Sequence, residues 1–205
     1  KKKLDKFYPR SFNMGISAVL FRRLGGFSPM RFGEDIDLSI RICQSGARCR
    51  LFPQAWVWHK RRTDLRKFFR QVHNSGIARI NLYKKYPSSL KAVHLLPALF
   101  TLGMALLALM LVCGLPLALC SQSPRWGILG WEMVMVSLLF PTLFSLLILA
   151  DSTAQSHSLR VGLLSVAASY VQLIGYGTGF LRAWWLRCVR GRNGELQAFR
   201  ETFYK

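Results

Sequence analysis

Residues Met30–Ile42, MRFGEDIDLSIRI, hold three of the nine acidic residues in a 205-residue chain with 29 Lys and Arg and a formal net charge of +20. Acids that persist in such basic surroundings form salt bridges, stabilise helix N-termini or carry chemistry. At about 100° per residue, Ile36, Ile40 and Cys43 gather on one side of a helix and Leu38 and Ile42 on the other. Glu34, Asp37, Arg41 and Gln44 form a polar stripe. Asp37 and Arg41 stand at i,i+4 in the acid-first order, which reads as a structural surface pair. Asp35 lies off that stripe, with Ser39 as its nearest polar neighbour. It begins the helix, where unpaired N–H groups and the dipole favour a carboxylate. Capping accounts for one acid there but does not require two in succession, so capping and a functional role both stay open.

Outward from this stretch, SFNMGISAVLFRRLGGF reads as a short strand and then a helix over about Ser17 to Leu24, ended by Gly25 and Gly26. The acidic helix runs to about Ser45 and stops at Gly46. ARCRLFPQAWVWH then reads as extended, interrupted by Pro53 and ending at His59. A third helix is expected over Asp64 to Tyr86, capped by Thr63 with Asp64 in its first turn. Leu65, Phe68, Phe69 and Val72 line one side of it, among Arg62, Arg66, Lys67, Arg70, Arg79, Lys84 and Lys85. An apolar stripe beside basic residues suits a helix lying in the headgroup region of an anionic leaflet, and equally one packed on its own domain. Its place just before apolar sequence favours the membrane surface.

The chain changes character at Ala92. Residues 1–91 carry 21 basic residues against five acids, whereas the remainder is mostly apolar. Segments 92–120, 127–150 and 161–181 each reach the ~20 residues that cross a bilayer core. Pro97, Gly103, Pro141, Gly175 and Gly177 inside them are tolerated in membrane helices. Three crossings would leave the two ends on opposite sides, yet Arg182, Arg187, Arg190, Arg192, Arg200 and Lys205 make the tail as basic as the start. One segment is therefore expected to be re-entrant or interfacial. The first, long and carrying Pro97 and Pro116, is the candidate, and the number of crossings stays open. The tail repeats the amphipathic theme, with Leu196, Phe199 and Phe203 at helical spacing.

Net positive charge suits nucleic acid, an anionic membrane or an anionic substrate, and the apolar half favours the last two over nucleic acid. Five cysteines without metal-type pairing give no disulfide framework and fit a reduced, cytosolic face. No apolar core follows the basic start as in a signal peptide, and the first residue is Lys, so a processed chain or fragment is expected. His73, His94 and His157 have no partner at ligand spacing and read as structural.

LGGFSPMRFGEDIDLSIRI, followed by AWVWH and FFRQVHNSGIAR, resembles the acceptor half of the family-2 glycosyltransferases. The resemblance covers about residues 10–86. It implies an α/β fold, a partial GT-A-like domain, followed by an α-helical transmembrane region. By the same likeness Asp35 is the base that deprotonates the acceptor hydroxyl in an inverting single displacement, and Glu34 is its neighbour. Gly25, Gly26 and Phe27 form the turn before the pair. His59 matches a position that helps hold a divalent metal, Mn²⁺ or Mg²⁺, on the donor diphosphate. Arg70 and Gln71 resemble an element bordering the donor and acceptor sites. No Trp follows at the spacing of processive polysaccharide synthases. The Asp-x-Asp-bearing nucleotide-binding half is absent, so the chain is expected to be the C-terminal part of a longer enzyme, inactive alone.

The implied division is 1–62 acceptor-side catalytic part, 63–91 interfacial helix and linker, 92–185 transmembrane region and 186–205 basic cytoplasmic tail. The implied partners are a nucleotide-sugar donor, a lipid-linked or membrane-presented acceptor, and anionic lipids. The implied place is the cell (inner) membrane, multi-pass, with the catalytic part facing the cytoplasm. The rival class is a non-catalytic anchor or scaffold with a basic cytosolic module. A transporter is disfavoured because the apolar segments hold almost no ionisable groups.

Overall fold

The computed structural model describes residues 13–30, 32–58 and 64–191. Its helices in chain order are α1 (Ala18–Arg23), α2 (Glu34–Gln44), α3 (Leu65–Lys85), α4 (Leu96–Cys120), α5 (Pro124–Ser156) and α6 (Leu159–Trp184). Short 3₁₀ turns at Pro87–Ser89 and Ala92–His94 join α3 to α4, and α6 runs on into a π-turn at Trp185–Val189.

No strand occurs among the described residues, so the expected α/β, partial GT-A-like domain is corrected to an all-α structure. The physical reason lies in residues 47–58. Backbone becomes a strand only when a neighbouring strand takes up its N–H and C=O groups. Here the run turns at Pro53, where the Ala55 N–H donates to the Phe52 carbonyl at 3.0 Å, and Asn13 Nδ2 donates to the Ala55 carbonyl at 3.3 Å. Its β-forming Leu51, Phe52, Trp56, Val57 and Trp58 stay exposed instead of packing on a sheet. The strand expected ahead of α1 is likewise absent from Asn13 onward.

The helix boundaries follow the punctuation in the sequence. Gly46 leaves α2 at φ 75°, a left-handed conformation that costs glycine little. At α3 the cap is Asp64 rather than Thr63, which lies outside the described residues. Asp64 Oδ1 accepts from the Arg66 and Lys67 N–H groups, and these bonds hold its carboxyl below the usual range.

Helices α4 and α5 are apolar all round and leave Leu99, Leu102, Leu106, Leu109, Leu139 and Leu147 more than half exposed. Such surfaces belong in lipid. Three helical stretches, Ala92–Cys120, Pro124–Ser156 and Leu159–Val189, are long and apolar enough to cross a membrane. Pro97 sits in the first turn of α4, where its missing N–H has no helical partner to lose, and α4 is continuous as far as Cys120. The first apolar segment is therefore one helix and not a hairpin. Glycines set the packing. Gly114 of α4 and Gly130 of α5 bring the two backbones together, since a Cβ on Gly114 would lie 2.8 Å from Met133 Cβ.

Helix α3 packs along α6. Ile77 and Ile80 are buried with Phe180 and Ala183 of α6 and Ala98 of α4. Gly76 and Gly179 allow the approach, because a Cβ on either would collide with the facing backbone, at Tyr176 and His73 respectively. The His73 imidazole Nδ1 lies 3.2 Å from Thr178 Oγ1, and burial, with Arg182 nearby, holds it below its ordinary range. Of the apolar stripe read on α3, Phe69 and Val72 meet Gly175 of α6, whereas Leu65 stays exposed, as do Arg66, Lys67 and Arg70. The tail helix expected around Leu196, Phe199 and Phe203 lies outside the described residues.

Candidate functional site

The Gly25–Gly26 turn after α1 is built by backbone conformation and held by one side chain. Both glycines adopt left-handed φ, 75° and 68°, and a Cβ on Gly26 would also stand 3.1 Å from the Phe21 ring. Phe21 and Phe27 meet edge to face at 5.6 Å. Arg41 of α2 reaches across with its fork, Nη1 donating to the Leu24 carbonyl at 2.5 Å and Nη2 to the Gly26 carbonyl at 2.7 Å. Its Nε donates to Asp37 Oδ2 at 2.9 Å, which is the i,i+4 pair read from the sequence.

Asp37 is not the surface acid expected from the helical wheel. It is fully buried, and four donors converge on it. Besides Arg41, Ser28 Oγ donates to Oδ2 at 2.5 Å, Lys85 Nζ to Oδ1 at 2.5 Å and the Tyr86 hydroxyl to Oδ1 at 2.9 Å. Burial pushes the carboxyl up, but the bonds from Lys85, Ser28 and Tyr86 outweigh it and leave the group at about 2. Tyr86 responds in the opposite sense, since burial and the Asp37 charge raise its phenol. Asp37 thereby ties three segments together: the turn through Arg41 and Ser28, α2 itself, and the end of α3.

Two residues earlier, Asp35 turns to a different flank. Gly33 caps α2 at φ 87°, and its carbonyl accepts the Asp37 N–H at 2.8 Å. Asp35 Oδ1 accepts the Ile36 N–H at 2.8 Å, and Ser39 Oγ donates to the Asp35 carbonyl at 2.8 Å. Its side chain is 8 % exposed, yet it opens on a cleft of about 270 Å³ between the start of α2, α3 and α6. Phe32, Gly33, Glu34, Asp35 and Ile36 form one wall, Ser75, Ala78, Arg79 and Leu82 of α3 the second, and Tyr176 of α6 the third. Two lining residues, Arg79 and Tyr176, face each other across it: Arg79 Nε and the Tyr176 hydroxyl are buried without a well-formed hydrogen bond, although the guanidinium lies close enough to act on the hydroxyl. A polar ligand or water satisfies such atoms.

Of the residues singled out in the sequence, Glu34 and Asp35 line this cleft. Gly25, Gly26 and Phe27 form the Arg41-held turn and are not part of the lining. Arg70 and Gln71 are exposed on the first half of α3, outside the lining. His59 lies outside the described residues. Among the described residues, no group of three or more His, Cys, Asp and Glu side chains is placed to hold a metal ion. Sequence reading missed Ser75, Arg79 and Tyr176 as a set. Continuing the face of Gln71 by steps of four reaches Ser75 and Arg79, so two of them carried a signal. Tyr176 carried none, because it sits in an apolar segment far along the chain.

Comparison with protein-family models, curated proteins and solved structures returned no match.

Proposed function

We propose that the chain is the acceptor-side, membrane-attached portion of an inverting glycosyltransferase, with Asp35 as general base. The observation that carries this reading is the cleft. A carboxylate at a helix N-terminus shares it with Arg79 and with Tyr176, a residue of one of the long apolar helices. An acceptor hydroxyl presented from the membrane enters at this level and gives its proton to the Asp35 carboxylate. Its oxygen forms the new bond to the anomeric carbon of a nucleotide sugar. The anomeric carbon–oxygen bond to the diphosphate breaks, and the electron pair leaves with the nucleotide. Arg79 supplies positive charge for an anionic group of acceptor or donor. The resemblance implies a divalent metal on the donor diphosphate, for which His59 lies outside the described residues and no ligand cluster occurs among the rest. The catalytic face is placed in the cytoplasm, on the inner membrane, where nucleotide sugars and anionic lipids meet.

The test is Asp35→Asn in the complete protein, assayed with a panel of radiolabelled nucleotide sugars and a membrane lipid extract. Asn keeps the size and accepts a hydrogen bond but takes no proton. Turnover should fall by about 10²–10⁴-fold, with thermal stability unchanged. Transfer at the wild-type rate by the variant, or no transfer by the wild-type protein from any donor, would overturn the reading.

A further inference from the structure

Helix α6 does not run beside the other two apolar helices as a third rod. Helices α4 and α5 form an antiparallel hairpin: Gly114 and Gly130 meet at its far end, and the Phe100 and Phe144 rings lie 5.0 Å apart near its base. Against this hairpin, Gly162 of α6 faces Leu149 and Thr153 of α5, and Tyr170 reaches the Pro141 carbonyl at 3.0 Å. Farther on, Gly177 lies against Pro97 and Thr101 at the start of α4, and Phe180 and Ala183 pack with Ala98. From Gly162 to Phe180 a helix advances ~27 Å along its own axis. Taking the Phe100–Phe144 contact as a level, the partners of Phe180 stand only ~8 Å along the hairpin from those of Gly162, although the long Tyr170 side chain between them reaches ~15 Å along it. A crossing needs a rise of ~30 Å.

Polarity and packing agree with this incline. The most apolar 18 residues of the α6 stretch have a mean hydropathy of 1.3, against 2.4 for those of each of the other two. It carries Arg160, Gln172 and Arg182 together with Tyr170, Tyr176, Trp184 and Trp185, the aromatic composition of a membrane–water boundary. Its second half is covered by α3, whose exposed Arg66, Lys67, Arg70 and Lys84 belong in water or among headgroups. As a crossing helix, α6 would put Arg160 and Arg182 on opposite sides. Lying across the base of the hairpin, it gathers both with the α3 cations, and the turn between α4 and α5 is left with Arg125.

We infer that α4 and α5 alone cross the membrane, and that α6 lies with α3 in the headgroup layer at their base, forming a basic two-helix platform on an anionic leaflet. Both ends of the described chain are then on one side, which removes the conflict between three crossings and two basic ends. The inference stands independently of the catalytic reading, although it sets the Asp35 cleft, lined by α3 and α6, at headgroup level.

The experiment uses the full chain with Cys43, Cys49, Cys113, Cys120 and Cys188 replaced, and single cysteines at Ser123, Ser156 and Gly191. A membrane-impermeant maleimide is applied to spheroplasts and to inverted inner-membrane vesicles of a bacterial expression host. Ser156→Cys and Gly191→Cys should react from the same side, and Ser123→Cys from the other. Reaction of Gly191→Cys together with Ser123→Cys would show a third crossing and overturn the inference, as would all three reacting from one side. Spin labels at Leu163 and Leu164 of α6, and at Leu109 of α4, then report depth in phosphatidylcholine–phosphatidylglycerol vesicles. Shallow α6 labels beside a deep Leu109 label support the platform. α6 labels as deep as Leu109 would overturn it even if the sidedness held.

Discussion

Replacing Asp37 with Asn keeps the volume and removes the charge on which Arg41, Lys85, Ser28 and Tyr86 converge. Breaking a buried ion pair on one side commonly costs about 3–5 kcal/mol, because the other charge is left stranded. Here part of that cost is avoided. Lys85 is 41 % exposed and can rehydrate, and Arg41 keeps its two carbonyl acceptors. Holding the carboxyl at about 2 rather than 3.8 corresponds to about 2 kcal/mol at neutral pH. We expect a loss of about 2–3 kcal/mol, or about 4–10 °C in Tm for a chain of this size, measured on the detergent-solubilised protein. Because the folded-state pKa is depressed, the contribution is full above the unfolded value of 3.8 and is lost as pH falls toward 2. The difference between wild type and Asp37→Asn should therefore be flat from about pH 5 to pH 8 and shrink in acid. A difference below about 1 °C at neutral pH, or one that persists unchanged in acid, would show that the Asp37 charge does not hold these segments together.

Arg41→Lys keeps the charge beside Asp37 but cannot span the Leu24 and Gly26 carbonyls with one fork. It should lower stability by about 1–3 kcal/mol, with faster amide exchange at Gly25 and Gly26 as the local readout. Gly179→Ala sets a methyl group against the His73 backbone. It should loosen α3 from α6 and speed proteolysis within α3, whereas Gly103→Ala, with open space around it, should leave the digestion pattern unchanged.

Much of the helical layout was legible because its signals are local. Gly46, the Gly25–Gly26 pair and the apolar runs mark boundaries by their own conformational and solvation preferences. The extended run expected over residues 47–58 forms no strand, because Leu51, Trp56 and Val57 favour a sheet only beside a neighbouring strand, and none occurs among the described residues. Asp37 was misplaced at the surface for a related reason. The wheel groups it with Glu34 and Arg41, but its remaining donors, Lys85 and Tyr86, lie 48 and 49 residues away. The glycines of α6 show the same limit. Gly175 and Gly179 lie about 40° apart and Gly177 nearly opposite, so one face receives α3 and the other the start of α4. In the sequence they read merely as residues a membrane helix tolerates.

The two acids of α2 divide their work because residues two apart on a helix point about 200° apart. Asp37 turns toward Arg41 and the end of α3, where its charge is spent on holding segments together. Asp35 turns toward the cleft, where Arg79 and Tyr176 face each other. Its position depends on a chain of contacts that never touches the cleft: the Gly25–Gly26 turn is fixed by Arg41, Arg41 by Asp37, α3 by Lys85 and Tyr86, and α3 in turn seats on α6 through Gly76 and Gly179. A shift of α3 along α6 would separate Arg79 from Tyr176 while leaving Asp35 chemically intact. In the catalytic reading, Gly179→Ala should therefore lower turnover although it adds nothing to the cleft, and Asp35→Asn should do so without loosening α3. Opposite patterns in these two variants separate the geometry of the site from its chemistry.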